Sequence, residues 1–177
     1  MIRFFDFLLS LFFLFVFFPI FITIIILNYI LNKKIFFVSE RVGYKGNKFR
    51  LIKFITMKNE IFLKLGKFFR RTSLDELPQL LNILKGDMSL VGPRPYPIEN
   101  FKNLNKKVFY LRHSIKPGLT GLTQVQYRGK KRTIDEKISI DLRMIKKFNL
   151  LFYFKILMYT PKAVLVRFIK NKSGASL

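Results

Sequence analysis

The sequence predicts an α+β fold that is mostly helical, with an N-terminal membrane helix, a small β-hairpin and amphipathic interfacial helices. Three observations predict this fold. An uncharged, phenylalanine-rich run covers residues 7–32. Two short apolar runs on either side of a turn-rich stretch follow it. Most of the remaining chain repeats apolar residues at helical spacing, with lysine and arginine between them.

The composition combines a large positive charge with an apolar chain. The 177 residues include 33 Lys and Arg but 10 Asp and Glu, giving a net charge of +23, and 50% are hydrophobic. Such a charge indicates an anionic partner, whereas the apolar half excludes a disordered basic tail. The chain has no cysteine and one histidine, His113, which excludes disulfides and thiolate metal sites.

Residues 1–32 form the first predicted domain, a membrane helix. The uncharged run is longer than the roughly 20 residues that cross a bilayer as a helix. Pro19 lies in its middle and should kink it. Arg3 and Asp6 cancel, so the whole net charge follows the run and places that side in the cytoplasm. Arg3 and Asp6 are cytoplasmic too only if the helix turns back at Pro19. A spanning helix and a re-entrant helix are both compatible with these residues.

Residues 33–177 form the second predicted domain, on the cytoplasmic side of the membrane. Strands are predicted at 35–38 and 49–54, around a turn at 43–47. Helices are predicted at 61–71, 74–84, 101–115, 134–148 and 150–169, the last interrupted at Pro161. Gly- and Pro-rich loops are predicted at 86–97 and 116–121. Lys155, Lys162 and Arg167 are costly at a bilayer centre, so 150–169 is predicted to lie in the membrane interface.

The few acidic residues include one adjacent pair, Asp75 and Glu76, which follows Arg70 and Arg71. One interpretation is structural: Ser73 and Glu76 have the spacing of a helix capping box. The other is chemical, because a helix N-terminus and two arginines favour an ionised carboxylate and attract phosphate. A carboxylate in that position is suited to attack phosphorus or to hold Mg²⁺ at a diphosphate.

Two basic segments are further candidates for binding phosphate. Arg94 is held between two prolines and is able to bind phosphate through two parallel hydrogen bonds. The loop 116–121, with Gln124 and Arg128 after it, offers glycines, a hydroxyl and cations to a nucleotide or phosphate. It lacks the pattern of a P-loop. His113 is predicted to be a surface or interface residue rather than a general base.

Residues 70–95, which read RRTSLDELPQLLNILKGDMSLVGPRP, closely resemble the signature of the bacterial sugar transferases. These are the monotopic polyprenyl-phosphate phosphoglycosyl transferases. The segments 41–43, 53–57 and 116–121 support the match, which extends from residues 3–6 to about Thr160. The chain therefore resembles the minimal, single-domain form of the family.

The resemblance implies transfer of a sugar 1-phosphate from a UDP-sugar to undecaprenyl phosphate, with release of UMP. It implies that Asp75 carries a covalent phosphosugar, that Glu76 completes the dyad, and that Mg²⁺ assists at these carboxylates. Arg70 and Arg94 match family arginines expected near phosphate. The family's membrane helix is re-entrant at a proline that matches Pro19. The implied location is the cytoplasmic face of the bacterial inner membrane, against anionic lipids. Nucleic acid is not an expected partner, and a homodimer is left open.

Several positions depart from the family pattern. Ile55 replaces the usual arginine of K-F-R-T-M, and Lys53 and Lys58 are nearby cations that would substitute for it. Leu122 and Thr123 replace a usual Trp-Ala pair, and Ile134 and Met144 replace a common Trp and Tyr. These changes leave the identity of the sugar and the glycan pathway open. Two alternative functions remain: a non-catalytic, membrane-anchored basic adaptor, and a degenerate family member that binds a partner.

Overall fold

The computed structural model describes residues 1–58, 61–63, 65–127 and 132–170, and it confirms a mostly helical α+β fold. The helices are α1 (Ile2–Val16), α2 (Phe18–Asn32), α3 (Gly66–Thr72), α4 (Gln79–Lys85), α5 (Lys106–Arg112), α6 (Leu122–Tyr127), α7 (Ile134–Lys146) and α8 (Leu150–Lys170). The strands are β1 (Phe36–Val42), β2 (Lys48–Phe54), β3 (Met57–Lys58), β4 (Ile61–Phe62), β5 (Ser89–Val91) and β6 (Gly118–Thr120). Short 3₁₀ turns cover Tyr44–Gly46, Leu74–Glu76 and Ile98–Phe101.

The N-terminal hydrophobic run forms two helices rather than one. Helices α1 and α2 meet at Phe17 and are bent by 64°. Pro19 lies in the first turn of α2, where a missing backbone N–H leaves no hydrogen bond unmade. Among the described residues no single helix is long and apolar enough to cross a membrane, although the bent pair meets that test together.

The start of α1 is packed into the rest of the protein. Arg3 donates hydrogen bonds to the carbonyl oxygens of Ile83 and Leu84, at the C-terminal end of α4. Asp6 is 1% exposed and accepts hydrogen bonds from the Ser89 hydroxyl, at 2.9 Å, and from the Leu90 backbone N–H, at 2.8 Å. Arg3 and Asp6 therefore bind the protein core rather than each other.

The predicted hairpin is present and longer than expected. Strands β1 and β2 pair antiparallel from Phe36 opposite Phe54 to Val42 opposite Lys48. Helix α2 returns onto this hairpin, where Ile24 packs with Phe54 and with Phe69 of α3. The main core lies between α1, β2, α4, β5 and α8, and its buried residues are Leu51, Leu80, Ile83, Met88, Leu90, Val91, Tyr153 and Ile156.

The two loops predicted at 86–97 and 116–121 each contain a short strand. Strands β5 and β6 pair in parallel, Ser89 opposite Gly118 and Val91 opposite Thr120. A Cβ added to Gly92 would lie 2.7 Å from the backbone nitrogen of Gly118, so the close approach of the two loops requires glycine at position 92. This approach places Arg94 beside the carboxylate pair described below.

Several predicted helices have different bounds in the structure. The segment 61–71 becomes strand β4 followed by α3, because Gly66 packs directly on the backbone of Thr56. The segment 74–84 becomes a 3₁₀ turn and then α4, because Pro78 has no N–H to continue a helix. The segment 101–115 shortens to α5, which the Asn105 side chain caps.

Helix α8 is not interrupted at Pro161. Tyr153 and Ile156 on one side of the proline and Ala163 on the other are all buried. Tertiary packing of both halves therefore holds the helix together despite one missing backbone hydrogen bond. Helix α7 begins with a true capping box, formed by Thr133 and Glu136.

Candidate active site

Asp75 and Glu76 lie in a buried 3₁₀ turn between α3 and α4. Ser73, at φ 63°, ends α3 in the left-handed region and redirects the chain into this turn. Asp75 is 7% exposed and Glu76 is 9% exposed. The side chain of Asn82 joins α4 to β2 by accepting from Ile52 N at 3.1 Å and donating to Arg50 O at 2.8 Å. This contact holds Lys53 of β2 against the turn.

Glu76 forms a buried ion pair with two cations. Its Oε1 accepts hydrogen bonds from Lys53 Nζ at 2.9 Å and from Arg94 Nη2 at 2.8 Å. Burial alone would raise the pKa of Glu76, but the charges of Arg94 and Lys53 outweigh burial and hold that pKa well below its usual range. Glu76 is therefore a fixed negative charge. The capping-box interpretation of Glu76 is wrong, since its side chain pairs with Lys53 and Arg94 and Ser73 makes no side-chain cap.

Asp75 has the opposite electrostatic environment. Burial and the neighbouring Glu76 carboxylate raise the pKa of Asp75 to about 6, against the opposing charges of Lys53, Arg70 and Arg94. No ion pair of Asp75 is found within the described part of the chain. Asp75 is thus largely ionised at neutral pH and, because its pKa is above that of Glu76, is the more basic and the more nucleophilic of the two carboxylates.

A polar cavity of about 500 Å³ opens in front of the dyad. Arg70 reaches its wall and donates from Nε to Thr56 Oγ1 at 3.0 Å. Ile55, at the position where the family usually has arginine, is 9% exposed and lines the same cavity. The remaining lining residues are Phe37, Arg41, Lys53, Phe54, Thr56, Met57, Asp75, Glu76 and Arg94. The cavity combines two carboxylates with four cationic side chains, so its net charge suits a diphosphate.

An apolar cavity of about 880 Å³ lies on the other side of Glu76. It is bounded by α1, α3 and α8. Among the described residues, only Glu76 lines both this cavity and the polar one. Its apolar walls include Leu9, Phe13, Phe17, Phe68, Leu77, Leu119, Phe154, Leu157, Val164 and Phe168. The dyad therefore lies where a polar and an apolar binding space meet.

A buried polar network lies behind Arg94. Arg112 is 1% exposed; its Nε and Nη2 donate to Asp141 Oδ2, and Nη2 also donates to the backbone oxygen of Arg94 at 2.7 Å. Thr123 donates to the other oxygen of Asp141 at 2.8 Å. The network fixes the main chain of Arg94 and thereby directs its guanidinium at Glu76.

His113 belongs to the same network, and its predicted surface position is wrong. It is 2% exposed and packs against Phe101 and Phe109. Its Nδ1 lies 2.7 Å from Phe109 O and its Nε2 lies 3.2 Å from Arg112 Nη1. A neutral ring that donates from Nδ1 and accepts at Nε2 satisfies both contacts. Burial, with the charge of Arg112, lowers the pKa of His113 to about 4.

The structure brings Lys53, Arg70, Asp75, Glu76 and Arg94 together, as the sequence predicted. Gln124 is buried in α6 and is not among the residues that line the polar cavity. Arg128 lies outside the described residues. Sequence reasoning missed Arg41, Gln79 and the Arg112–Asp141 pair. A signal for the last was available, because an Asp within the apolar face of α7 needs a buried cation.

The carboxylates also bear on the predicted Mg²⁺. Within the described residues no group of three or more His, Cys, Asp and Glu side chains is placed to hold a metal. Mg²⁺ is commonly bound by one or two carboxylates together with substrate phosphates and water. Asp75 and the second oxygen of Glu76 provide that donor set, so the residues fit Mg²⁺ when it arrives with a diphosphate.

Comparisons with known proteins bear out the resemblance. The family model described as bacterial sugar transferase matches residues 1–167. The uncharacterized sugar transferase EpsL of Bacillus subtilis is 36% identical over 156 residues, which are 81% of this chain and 76% of that protein. The UDP-glucose:undecaprenyl-phosphate glucose-1-phosphate transferase of Escherichia coli is 34% identical over 146 residues, 71% of this chain and 32% of that protein.

The undecaprenyl-phosphate galactose phosphotransferase of Salmonella typhimurium is 46% identical over 102 residues, 58% of this chain and 21% of that protein. The galactosyl transferase CpsE of Streptococcus agalactiae is 36% identical over 155 residues, 73% of this chain and 34% of that protein. The chain thus spans about a third or less of the length of three of these relatives and about three quarters of the Bacillus subtilis protein.

Proposed function

The chain belongs to the bacterial sugar transferase family, and from that membership we propose that it transfers a sugar 1-phosphate from a UDP-sugar to undecaprenyl phosphate, releasing UMP. The transfer would be the first membrane step in the synthesis of a surface glycan or glycoconjugate. Relatives named for this reaction with glucose and with galactose support the proposal. The observation that carries it is the position of the Asp75–Glu76 dyad between a cationic cavity and an apolar one.

In the first step, an oxygen of Asp75 attacks the phosphorus next to the sugar. A bond forms from Asp75 to that phosphorus, the bond from phosphorus to the bridging oxygen breaks, and UMP leaves with the electron pair. Lys53, Arg70 and Arg94 line the cavity in which this charge develops. Glu76 holds Lys53 and Arg94 in place by accepting a hydrogen bond from each.

In the second step, an oxygen of undecaprenyl phosphate attacks the same phosphorus. The bond to Asp75 breaks, the lipid-linked sugar diphosphate is released, and the Asp75 carboxylate is restored. The apolar cavity beside Glu76 suits the polyprenyl chain, because its walls are largely hydrophobic and half of its described lining residues come from α1 and α8. Two steps keep the two anionic substrates from meeting in one encounter.

Mg²⁺ is the proposed cofactor, held by Asp75 and Glu76 together with the substrate. When bound, it would neutralise charge on the diphosphate oxygens. The residues of the chain do the remaining work, since Arg70 and Arg94 orient the donor and Asp75 supplies the nucleophilic oxygen.

We place the chain on the cytoplasmic face of the bacterial inner membrane, with α1 and α2 as a re-entrant pair. Arg3 and Asp6 of α1 bind α4 and β5, and Ile24 of α2 packs with Phe54 of β2 and Phe69 of α3. Both helices therefore contact the domain that carries the dyad, which supports a return to the same side. Exposed apolar side chains along both helices and α8 would contact lipid, and lysines beside them would contact anionic headgroups. The exposed apolar side chains include Phe4, Phe12, Phe15, Phe18, Tyr29, Ile30, Leu151, Met158 and Leu165.

Topology is tested with a single cysteine. The variant Ile2→Cys, in a chain that has no other cysteine, is treated with a membrane-impermeant maleimide in intact cells and in inside-out vesicles. A re-entrant pair exposes position 2 only in inside-out vesicles, whereas a spanning helix exposes it in intact cells.

The reaction is tested by measuring UMP release across a panel of UDP-sugars, with Mg²⁺ and undecaprenyl phosphate. We expect release with at least one donor, and an Asp75→Asn variant that is inactive but still membrane-bound. Asp135→Asn, a change at an exposed residue of α7, is the matched control. Absence of release with every donor would favour the degenerate, partner-binding alternative.

A further inference from the structure

A small second pocket lies behind the polar cavity. It has a volume of about 110 Å³ and is lined by Arg41, Lys53, Gln79, Arg94 and Tyr96, together with Leu51 and Pro95. Arg41, Lys53 and Arg94 also line the polar cavity, so the two spaces adjoin. We refer to this space as the Arg41 pocket.

Two donors in the Arg41 pocket have no partner among the residues that the structure describes. Gln79 is 3% exposed, and within that part of the chain its Nε2 has no hydrogen-bond partner. The Nε of Arg41 is also buried there, again with no partner among the described residues. Throughout the described ranges, no hydrogen bond or ion pair of the Arg41 guanidinium is found. Buried donors of this kind are normally satisfied, so both point to a ligand that offers acceptor oxygens.

The charges around the pocket favour an anion. Lys53 and Arg94 share one carboxylate, that of Glu76, whereas Arg41 forms no ion pair with a carboxylate of the described residues. Burial and the positive charge of Arg94 lower the pKa of Arg41, with only weak compensation from Glu99. An anion placed among these three cations would relieve both the burial and the repulsion.

The Arg41 pocket is much smaller than the cavity beside it. Its volume is about 110 Å³, against about 500 Å³ for the polar cavity, and its polar lining suits a small anionic group such as a phosphate. We propose that the Arg41 pocket binds a phosphate monoester, and that during the reaction it takes the phosphate of the departing nucleotide. The second part rests on the proposed function.

Two sources of phosphate are available to the site, the nucleotide and the lipid acceptor. The Arg41 pocket adjoins the polar cavity and, among the described residues, shares no lining residue with the apolar cavity. A lipid phosphate whose chain lies in the apolar cavity approaches Glu76 from the opposite side. The geometry therefore favours the nucleotide.

The test measures equilibrium binding to the full chain in lipid nanodiscs, by calorimetry, with UMP, uridine, inorganic phosphate and farnesyl phosphate as probes. Arg41→Gln should weaken UMP and phosphate binding by about 10- to 100-fold, the loss expected of charge-assisted hydrogen bonds. Uridine and farnesyl phosphate should bind as they do to the unmodified chain. Arg50→Gln, an exposed arginine of the same hairpin, should change nothing.

A second variant separates loss of the site from loss of the fold. Gln79→Glu keeps the side-chain volume but places a carboxylate among the three cations. It should abolish binding of UMP and phosphate without lowering the Tm.

The proposal is overturned if the Arg41→Gln variant binds UMP as tightly as the unmodified chain does. It is also overturned if the unmodified chain binds neither UMP nor phosphate. A loss confined to farnesyl phosphate would assign the pocket to the lipid and overturn the nucleotide assignment. Binding of UMP does not require turnover, so the two proposals can fail separately. If the chain binds UMP through Arg41 but releases no UMP from any donor, the pocket proposal is upheld and the proposed function is refuted.

Discussion

The hydroxyl of Tyr153 donates a hydrogen bond of 2.8 Å to Oδ1 of Asp6, joining the first helix to the last across 147 positions of the chain. The same oxygen of Asp6 also accepts from Ser89 and from the backbone of Leu90. One buried carboxylate therefore connects α1, β5 and α8. Helix α1 is an integral part of the fold that carries the dyad.

Asp6→Ala should be strongly destabilising. It removes the acceptor of three buried donors at once, and unsatisfied buried donors cost about 1–3 kcal/mol each before relaxation. We expect the free energy of unfolding to fall by about 2–4 kcal/mol, measured by chemical denaturation in detergent.

Tyr153→Phe is the matched control, since it removes one of the three donors and keeps the ring in the core. It should cost about 1 kcal/mol. Equal losses for the two variants would contradict a three-donor role for Asp6.

This connection shows what local sequence patterns leave undetermined. The uncharged run and Pro19 were sufficient to predict a helix that is broken near its middle. Nothing in the sequence around position 6 reveals that the partners of Asp6 lie at positions 89, 90 and 153. Such partners depend on the packing of α1 against α4 and α8, which is a tertiary property.

The buried Arg112–Asp141 pair should support catalysis as well as stability. In Arg112→Lys an ammonium group replaces the planar guanidinium that donates both to Asp141 and to the backbone carbonyl of Arg94. We expect the free energy of unfolding to fall by about 3 kcal/mol and kcat for UMP release to fall about tenfold or more, because Arg94 is less well directed.

A positioning role predicts that kcat falls more than KM rises. Asp141→Asn keeps the shape of the pair and should show the same pattern. If kcat is unchanged in a folded Arg112→Lys protein, the positioning role is contradicted and Arg112 has a structural role only.

His113 should make stability depend on pH. Its pKa in the folded protein, about 4, is below the value near 6.5 of an unfolded chain. Between these two values the unfolded chain binds a proton that the folded protein does not bind. Stability should therefore fall as the pH is lowered from about 6.5 towards 4.

The measurement compares Tm across this pH range for the unmodified chain and for His113→Gln. Other acid-sensitive groups act on both proteins, so the difference isolates His113. On acidification, the Tm of the variant should fall less than the Tm of the unmodified chain. Parallel curves of Tm against pH for the two proteins would refute a role of His113 in this pH dependence.

The candidate site was more predictable than the fold around it. Of the six predicted catalytic and phosphate-binding residues that the structure describes, five line one cavity, because the segment 70–95 and the hairpin carry them on adjoining elements. Local spacing alone could not distinguish the two interpretations of Glu76, a helix-capping residue and an active-site carboxylate. A Ser three positions before a Glu fits a capping box equally well, and only the positions of Lys53 and Arg94 decide between them.

The central claim is that Asp75 forms a bond to the phosphosugar. The most direct test incubates the purified protein with the UDP-sugar that supports UMP release, without any polyprenyl phosphate, and measures the intact protein mass. We expect an added mass equal to one sugar phosphate, which maps to the peptide that contains Asp75. The added mass should be lost when undecaprenyl phosphate is added and should be absent in Asp75→Asn. An active protein that gains no mass under these conditions, or an Asp75→Asn variant that gains the same mass, would contradict it.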